Sequence, residues 1–191
     1  MPNPLRPSTR DAIVEAAFDV LSRDPSAALA QVAERAGVGR ATLHRHFATR
    51  EALIRALALT AIEEMDAAAE AACADARSYE DAFRRMLTVL IPLGDRHGFL
   101  SREPVDDDPE IAAEFQRQMD ETREMVEGAK QEGLFDPAMP TAWITQAFDH
   151  LLYAAWESVR AGEATHAQAA DLAWRTLTHG LGTGGAERKR T

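Results

Sequence analysis

Residues 28–47, ALAQVAERAGVGRATLHRHF, constrain the fold of this chain more than any other stretch. From Leu29 onward, apolar side chains recur at positions i, i+3, i+4 and i+7, the spacing that places them on one face of a helix. Gly37 follows this stripe directly, which predicts a left-handed residue that ends the helix. Leu43 and Phe47 are four residues apart, so they share one face of a second short helix. The pattern predicts two short helices joined by a tight glycine turn.

The second of these helices presents small and basic side chains on the side opposite its apolar residues. A short helix with such a surface can enter the major groove of DNA. We therefore predict that the segment contacts DNA through Arg40, Ala41, Thr42, His44, Arg45 and His46, together with Arg50 at the start of the following helix.

The basic residues of this surface can act in two ways, which the sequence leaves open. Arg40 can contact a guanine edge with two hydrogen bonds, or it can contact a phosphate. We predict phosphate contacts for His44 and His46, although lone surface histidines can also be neutral side chains without such a role. Arg50 stands in the first turn of a helix, where a cation opposes the helix dipole. This placement predicts that Arg50 and the helix N-terminus hold a phosphate together.

Four segments of the first 57 residues resemble, in order, the DNA-binding domain of the TetR family of transcriptional repressors. These segments are Ile13-x-x-Ala16-Ala17, Val32-Ala33-x-x-Ala36-Gly37-Val38, Ala41-Thr42-Leu43-His44-x-His46-Phe47 and Thr49-Arg50-Glu51-Ala52-Leu53. The resemblance implies a homodimer that binds a palindromic operator and is released by a small molecule. The family usually has Tyr where His44 stands, and Thr or Ser near Ala27 and Ala28. The second departure leaves Ser26 as the candidate cap of the second helix.

The net charge of −10 is unevenly distributed along the chain. Residues 1–55 hold eight arginines and six acidic residues, whereas the remaining residues hold 13 basic and 25 acidic ones. Attraction to phosphate acts over a screening length of about 8–10 Å, so an acidic remainder does not exclude DNA binding. We interpret the acidic portion as a solvated surface that aids solubility.

Several other classes of protein are disfavoured by the sequence. No run of 18 apolar residues predicts a transmembrane helix, and the N-terminal MPNPLRPSTR lacks the apolar core of a signal peptide, so we expect a cytoplasmic protein. The six histidines and Cys73 form no metal-ligand pattern, and no phosphate-binding loop or nucleophile motif is present. We therefore predict no enzyme activity, no metal and no cofactor. Cys73 can be a redox switch or simply a small buried thiol.

The predicted fold is all-α. It has a helix-turn-helix DNA-binding domain at residues 1–55, a helical ligand-binding and dimerisation domain at 56–181 and a flexible tail at 182–191. Abundant alanine and few aromatic residues favour close-packed helices. The predicted helices span residues 8–23, 28–36, 39–46, 50–75, about 78–93, 109–132, 141–161 and 165–181, with a kink at Pro92 and a loop or broken helix from Gly94 to Asp108.

The last two predicted helices are apolar on more than one face. A surface helix needs only one apolar face, so a second face indicates a second partner. Two such helices from each of two subunits would form a four-helix bundle. The predicted dimer contacts are Phe148, Leu152, Trp156, Trp174 and Leu177. The alternative is a central helix that is buried within one monomer.

A small-molecule site is predicted among the C-terminal helices. Its candidate residues are Phe83, Met86, Leu90, Phe99, Met119, Arg123, Phe148, Tyr153 and Trp156, with Gln116, Asp149 and His150 as further polar groups that can point inward. The apolar members fit a plain core equally well.

We expect a ligand-responsive repressor that partners with double-stranded DNA, a small-molecule effector and a second copy of itself. The first alternative is an activator or a ligand-independent regulator of the same fold. The second alternative is a helical ligand-binding or interaction protein without DNA binding. Arg40, Arg45 and Arg50 argue against the second alternative.

Overall fold

The computed structural model describes residues 8–103 and 108–181, and within these ranges it contains eight α-helices and no strand. The predicted all-α fold is confirmed. The helices are α1 (Thr9–Leu21), α2 (Leu29–Arg35), α3 (Arg40–His46), α4 (Arg50–Cys73), α5 (Tyr79–His97), α6 (Pro109–Gln131), α7 (Thr141–Arg160) and α8 (His166–Leu181), with a 3₁₀ helix at Gly98–Arg102 between α5 and α6. None of the helices in the described ranges is long and apolar enough to cross a membrane.

The chain divides into two compact units that differ from the predicted domains. The first unit combines Met1–Glu63 with Arg96–Ala112, and the second combines Glu64–Asp95 with Ala113–Thr191. The predicted boundary after residue 55 thus lies within α4, whereas the N-terminal segment of the first unit extends to Glu63. Sequence patterns identify contiguous segments, and they gave no sign that residues 96–103 and 108–112 pack with the N-terminal helices. The predicted tail at 182–191 lies outside the described residues.

Short-range hydrogen bonds begin α1 and α4 at their predicted starting points. The Ser8 hydroxyl accepts a hydrogen bond from the Asp11 backbone N–H, and the Asp11 carboxylate accepts one from the Ser8 N–H, both at 3.2 Å. This reciprocal pair is the predicted capping box. The Thr49 hydroxyl accepts from the Ala52 N–H at 3.2 Å and caps α4 in the same way.

The start of α2 differs from the prediction that Ser26 caps it. The N-cap residue is Ala28, whose side chain can accept no hydrogen bond. The Ser26 hydroxyl instead donates to the Asp24 carboxylate at 2.6 Å, because the chain turns between these two residues. The Gln31 side chain accepts from the Ala28 N–H at 3.1 Å, so part of the cap comes from within the helix.

The core of the first unit is built around Phe18, which is 1% exposed. Its ring lies 5.2 Å from the His97 ring and 6.3 Å from the Phe99 ring, and the Arg96 guanidinium lies 4.0 Å above it. Residues 96–99 therefore complete the core of the N-terminal helices. This arrangement explains why Phe99, predicted as a ligand contact, is a core residue of the first unit.

Proline and glycine in α5 do not end that helix where the sequence suggested. The helix runs through Pro92 to His97, so residues 94–97 are helical rather than part of a loop. A proline inside a helix removes one backbone hydrogen bond, which a well-packed helix can tolerate. Gly94 packs directly against Trp156, where a Cβ would come within 2.1 Å of the indole. The Trp156 Nε1–H donates to the Leu90 carbonyl at 3.2 Å and fixes this contact.

The second unit has its own aromatic core. Phe83 is fully buried and meets the rings of Phe135 and Phe148 edge to face, at centroid distances of 5.6 and 5.1 Å. Helices α7 and α8 pack against each other within this unit.

The predicted start of α6 is confirmed, because the Asp108 carboxylate accepts from the backbone N–H groups of Glu110 and Ile111 at 3.0 and 3.2 Å.

Candidate nucleic-acid interface and ligand cavity

The turn between α2 and α3 has the geometry that its sequence predicts. Gly37 has a φ of +67°, the left-handed conformation that glycine adopts without strain. The Val38 N–H donates to the Ala33 carbonyl at 3.0 Å, and the Gly37 N–H donates to the Glu34 carbonyl at 3.1 Å. These two bonds end α2 and direct the chain into α3, which begins after Gly39.

Helix α3 is anchored by two apolar residues and leaves its other side open. Leu43 and Phe47 are 1% and 3% exposed, as predicted from their spacing. The Phe47 N–H donates to the Leu43 carbonyl at 2.8 Å and closes the helix. Thr42 is half-buried, and the remaining predicted DNA-binding residues of this helix are exposed, namely Arg40, Ala41, His44, Arg45 and His46.

The exposed side of α3 carries positive charge, and no acidic residue lies near it in the sequence. Residues 37–50 contain three arginines and no acidic residue. Within the part of the chain that the structure describes, neither Arg40 nor Arg45 forms an ion pair. Their guanidinium groups are therefore available to phosphates or base edges.

Arg50 is engaged in contacts that the sequence did not predict. Its Nη1 donates to the Ala27 carbonyl at 2.9 Å, its Nη2 donates to the Pro25 carbonyl, and it lies 3.6 Å from a Glu103 carboxylate oxygen. These bonds join the start of α4 to the loop that precedes α2. A phosphate role for Arg50 stays a prediction, and the structure adds a positioning role for the same side chain.

The second unit contains an open cavity of about 500 Å³. Four helices line it, and the lining is a mixture of thioether, aromatic and acidic side chains. The residues are Met65, Asp66, Ala69, Glu70 and Cys73 of α4, Met86 and Leu90 of α5, Arg117, Gln118, Met119, Glu121, Thr122 and Met125 of α6, and Phe148, Asp149 and Leu152 of α7.

The structure places four of the nine predicted ligand contacts at this cavity and the other five elsewhere. Those at the cavity are Met86, Leu90, Met119 and Phe148. Phe83 and Trp156 belong to the packed interior, and Phe99 belongs to the first unit. Arg123 pairs with Asp120, and Tyr153 is 41% exposed. The sequence shows which of these residues are apolar and which are polar, but it does not show which helices pack together around the cavity.

Among the additional polar candidates, the structure places only Asp149 at the cavity. Its position on α7 makes it half-buried, and this burial raises the pKa of its carboxyl group. Gln116 bonds to Asp120 at 3.0 Å, and the His150 ring bonds to the Gln146 carbonyl at 2.9 Å. Both of these side chains are exposed.

The α4 and α6 residues of the cavity, above all Asp66 and Arg117, were missed by sequence reasoning. The Arg117 guanidinium bonds to Glu114 at 2.9 Å and to Glu121 at 2.8 Å, and it also contacts Asp66. The i+3 and i+4 spacing of the two glutamates was a visible signal for ion pairs along α6. The pairing with Asp66, 51 residues away, had no such signal.

Cys73 lies at the cavity wall as a half-buried thiol. Burial raises its pKa, so the reactive thiolate is disfavoured at neutral pH. No group of three or more histidine, cysteine or acidic side chains that could hold a metal ion occurs in the described ranges.

The predicted dimer contacts lie inside the second unit. Leu177 is fully buried, Phe148, Leu152 and Trp174 are at least 93% buried, and Trp156 is half-buried against Gly94. Within the described residues, the large apolar side chains of α7 and α8 that are exposed are Trp143, Tyr153 and Leu172. The sequence correctly indicated more than one apolar face, but it did not show which face the monomer uses for its own core.

Two short helices joined by a left-handed glycine, the second with an open basic side, define a helix-turn-helix DNA-binding protein. The model of the bacterial regulatory proteins of the tetR family matches residues 13–57. The HTH-type transcriptional repressor LfrR of Mycolicibacterium smegmatis is 36% identical over 177 residues, which cover 92% of each chain. This chain therefore belongs to the TetR family and is a transcriptional repressor with a helix-turn-helix domain, as the sequence predicted.

Solved structures agree with this assignment. The structure of LfrR from Mycobacterium smegmatis in complex with proflavine has a TM-score of 0.77 at 35% identity, and it covers 92% of this chain and 97% of that one. A second LfrR structure gives a TM-score of 0.61 at 30% identity, with coverage of 90% and 99%. The ketosteroid regulator KstR2 of Mycobacterium tuberculosis shares the fold, with a TM-score of 0.73 at 14% identity and coverage of 93% and 97%. Membership in a family of DNA-binding regulators also agrees with the prediction that the chain is not an enzyme.

Proposed function

We propose that the protein is a homodimeric repressor that binds a palindromic operator through α3 of each subunit and is released by a small molecule held in the cavity of the second unit. The DNA-binding role is supported by which arginines form ion pairs and which do not. Arg35, Arg50 and Arg55 each pair with a carboxylate, whereas Arg40 and Arg45 on the open side of α3 are unpaired within the described residues.

The roles on α3 follow from position. Arg40 begins the helix, so it is best placed to contact a guanine edge with two hydrogen bonds. Ala41 lets the helix approach the bases closely and can contact a thymine methyl group. Thr42 and Arg45 contact bases or phosphates, and the two histidines contact phosphates. In a dimer the two copies of α3 must lie about 34–36 Å apart to enter successive major grooves.

Replacing both unpaired arginines tests this surface. We expect wild-type protein to bind a duplex from the DNA upstream of its own gene, and Arg40→Ala combined with Arg45→Ala to bind at least roughly a hundredfold more weakly. Fluorescence anisotropy of the labelled duplex measures both. Arg123→Ala is the matched control, because this exposed arginine lies in the second unit and pairs with Asp120. Equal affinities for wild type and the double variant would place the DNA surface elsewhere.

The dimer surface that we propose is the exposed side of α7 and α8. Trp143, Tyr153 and Leu172 are 62%, 41% and 47% exposed, and large exposed apolar side chains are candidates for burial in a protein interface. Packing these sides of two subunits together would form a four-helix bundle. Light scattering at micromolar concentration should give about twice 20.9 kDa. The combination Trp143→Glu and Leu172→Glu should reduce it, whereas a monomeric wild type would exclude the bundle.

The cavity favours an effector that is both apolar and cationic. Its thioethers and the Phe148 ring suit a flat apolar molecule, since methionines adapt to irregular shapes and contact aromatic rings favourably. Its four carboxylates outnumber its one guanidinium. LfrR, the relative described above, has been solved in complex with proflavine. We therefore take proflavine as the first probe for this chain.

Binding of the probe can be tested without knowing the natural effector. Calorimetry should show that proflavine binds the wild-type protein, and that fluorescein, an anionic dye whose xanthene rings form a similarly flat tricycle, does not. Binding of fluorescein alone would contradict the proposed charge preference. A repressor acts on chromosomal DNA, so we place the protein in the cytoplasm.

A further inference from the structure

One contact at the cavity wall joins α4 to α6. The Asp66 carboxylate of α4 accepts a hydrogen bond from Gln118 Nε2 of α6 at 2.6 Å, and it also accepts one from Arg117 Nη2. All three side chains line the cavity. The Asp66 carboxylate, which a cationic effector could contact, is therefore already paired with the Arg117 guanidinium.

Arg117 can leave Asp66 without losing its other partners. Its Nε donates to Glu114 at 2.9 Å and its Nη1 donates to Glu121 at 2.8 Å, and both glutamates belong to α6 itself. The guanidinium stays neutralised by its own helix when the Asp66 contact breaks. The Asp66 and Arg117 side chains are 30% and 43% exposed, so their pairing is screened by solvent and readily exchanged.

We propose that Arg117 is a resident cation that competes with the effector for Asp66, so that binding of a cationic effector breaks the ion pair between α4 and α6 and leaves the Gln118 hydrogen bond as the remaining link at Asp66. This mechanism rests on the proposed function, since it specifies how the effector acts at the same cavity. Residues 50–63 of α4 belong to the first unit and residues 64–73 to the second. The exchange at Asp66 thus changes the restraint on the helix that follows the DNA-binding motif.

The competition predicts opposite effects on two affinities. Arg117→Met keeps an unbranched side chain and removes the charge, so Asp66 is left for the ligand. We expect proflavine to bind this variant roughly two- to fivefold more tightly than wild type, the range expected when a partly exposed ion pair is lost. The same variant should bind operator DNA more weakly without ligand, and proflavine should weaken that binding further by a smaller factor than in wild type.

Two further variants separate competition from damage to the fold. Arg123→Met is the matched control, because Arg123 lies on α6, pairs with Asp120 alone and does not line the cavity. We expect it to leave both affinities unchanged. Arg117→Lys keeps the charge and should restore most of the wild-type behaviour. If Arg117→Met fails to fold, Arg117→Lys should still fold and bind proflavine slightly more tightly than wild type, because lysine lacks the planar fork with which arginine holds Asp66. An affinity equal to or weaker than that of wild type would then overturn the competition.

The measurements are calorimetry with proflavine and anisotropy with operator DNA, on the full-length chain. If wild type binds proflavine and releases DNA while Arg117→Met matches wild type in both, the competition is overturned and the proposed function stands. The competition is also overturned if Arg123→Met alters the two affinities as much as Arg117→Met does. If wild type does not bind proflavine, both the competition and the cationic effector are overturned, whereas the DNA-binding proposal is tested separately by Arg40 and Arg45.

Discussion

The two units of this protein differ in how far apart in sequence their functional residues lie. In the first unit, residues 28–47 contain the turn, the anchors of α3 and its exposed basic side. In the second unit, the cavity wall draws on residues from Met65 to Leu152 in four helices. The proposed DNA-binding surface is thus a local structure, while the cavity exists only when distant segments pack. The comparison suggests that substitutions near α3 change function directly, whereas those around the cavity also change stability.

The largest effect should come from removing the aromatic core of the first unit. Phe18 packs against Phe99 and His97 and lies beneath Arg96, so Phe18→Ala removes the side chain that joins residues 96–99 to α1. We expect the free energy of unfolding to fall by about 3–5 kcal/mol, the cost of truncating a buried phenylalanine. Urea titration followed by circular dichroism measures it.

An exposed phenylalanine provides the control for this variant. Phe115 on α6 is 48% exposed, so Phe115→Ala should change the stability by less than about 0.5 kcal/mol. A comparable loss in both variants would mean that Phe18 is no more important than a surface residue. The dependence of the first unit on residues 96–99 would then be abandoned.

The part of this structure that the sequence predicted is the part determined by short-range rules. The Ser8 capping box, the left-handed Gly37 and the buried pair of Leu43 and Phe47 each depend on residues at most five positions apart. The ends of α6 at Asp108 and Gly133 follow the same rules. These features specify the helices and the basic surface without reference to the rest of the chain.

The features that the sequence did not predict depend on long-range packing. Phe99 and Phe83 are both apolar aromatic residues, and nothing local assigns the first to one unit and the second to the other. The second apolar face of α7 is visible in its sequence, but only the packed structure shows that Trp156 faces inward and Trp143 outward. Asp66 and Arg117 meet across 51 residues, so no periodic pattern links them.

A smaller effect should decide between the two roles of Arg50. Its guanidinium holds the carbonyls of Pro25 and Ala27, and lysine cannot bond to both in the same way because it lacks the planar fork. If positioning dominates, Arg50→Lys and Arg50→Ala should weaken operator binding about equally, each by roughly tenfold. Anisotropy titrations over a range of salt concentrations measure both.

A phosphate contact at Arg50 would give a different result. Lysine would then restore most of the affinity, and only the alanine variant would lower the salt dependence, by about one unit per subunit. That outcome would make Arg50 part of the DNA surface in the sense that the sequence predicted.

The smallest predicted effect links stability and ligand binding at Asp149. Burial raises the pKa of this carboxyl group in the folded protein, so the folded state binds more protons than the unfolded state between the ordinary and the raised pKa. Stability therefore falls as pH rises through that window and stays lower at neutral pH. Asp149→Asn is uncharged throughout, and we expect it to stabilise the free protein at neutral pH by less than about 1 kcal/mol, since the carboxylate remains partly solvated.

The same variant should bind proflavine more weakly, because it removes one of the four carboxylates of the cavity. Thermal melting at neutral pH and at a pH below the ordinary range of aspartate, together with calorimetry, measures both effects. The stability difference should vanish in acid. An Asp149→Asn protein that is less stable at neutral pH, or that binds proflavine as tightly as wild type, would contradict this description of the cavity.

The central claim is that the cavity of the second unit controls DNA binding by the first. The most direct measurement is an anisotropy titration of operator DNA with wild-type protein, with and without saturating proflavine. We expect proflavine to raise the dissociation constant for operator by at least about tenfold beyond any weakening caused by its own intercalation into the free duplex. Operator should weaken proflavine binding to the protein by the same factor, as linkage requires. If calorimetry shows proflavine bound while the affinity for operator is unchanged, the two units are uncoupled and the claim fails.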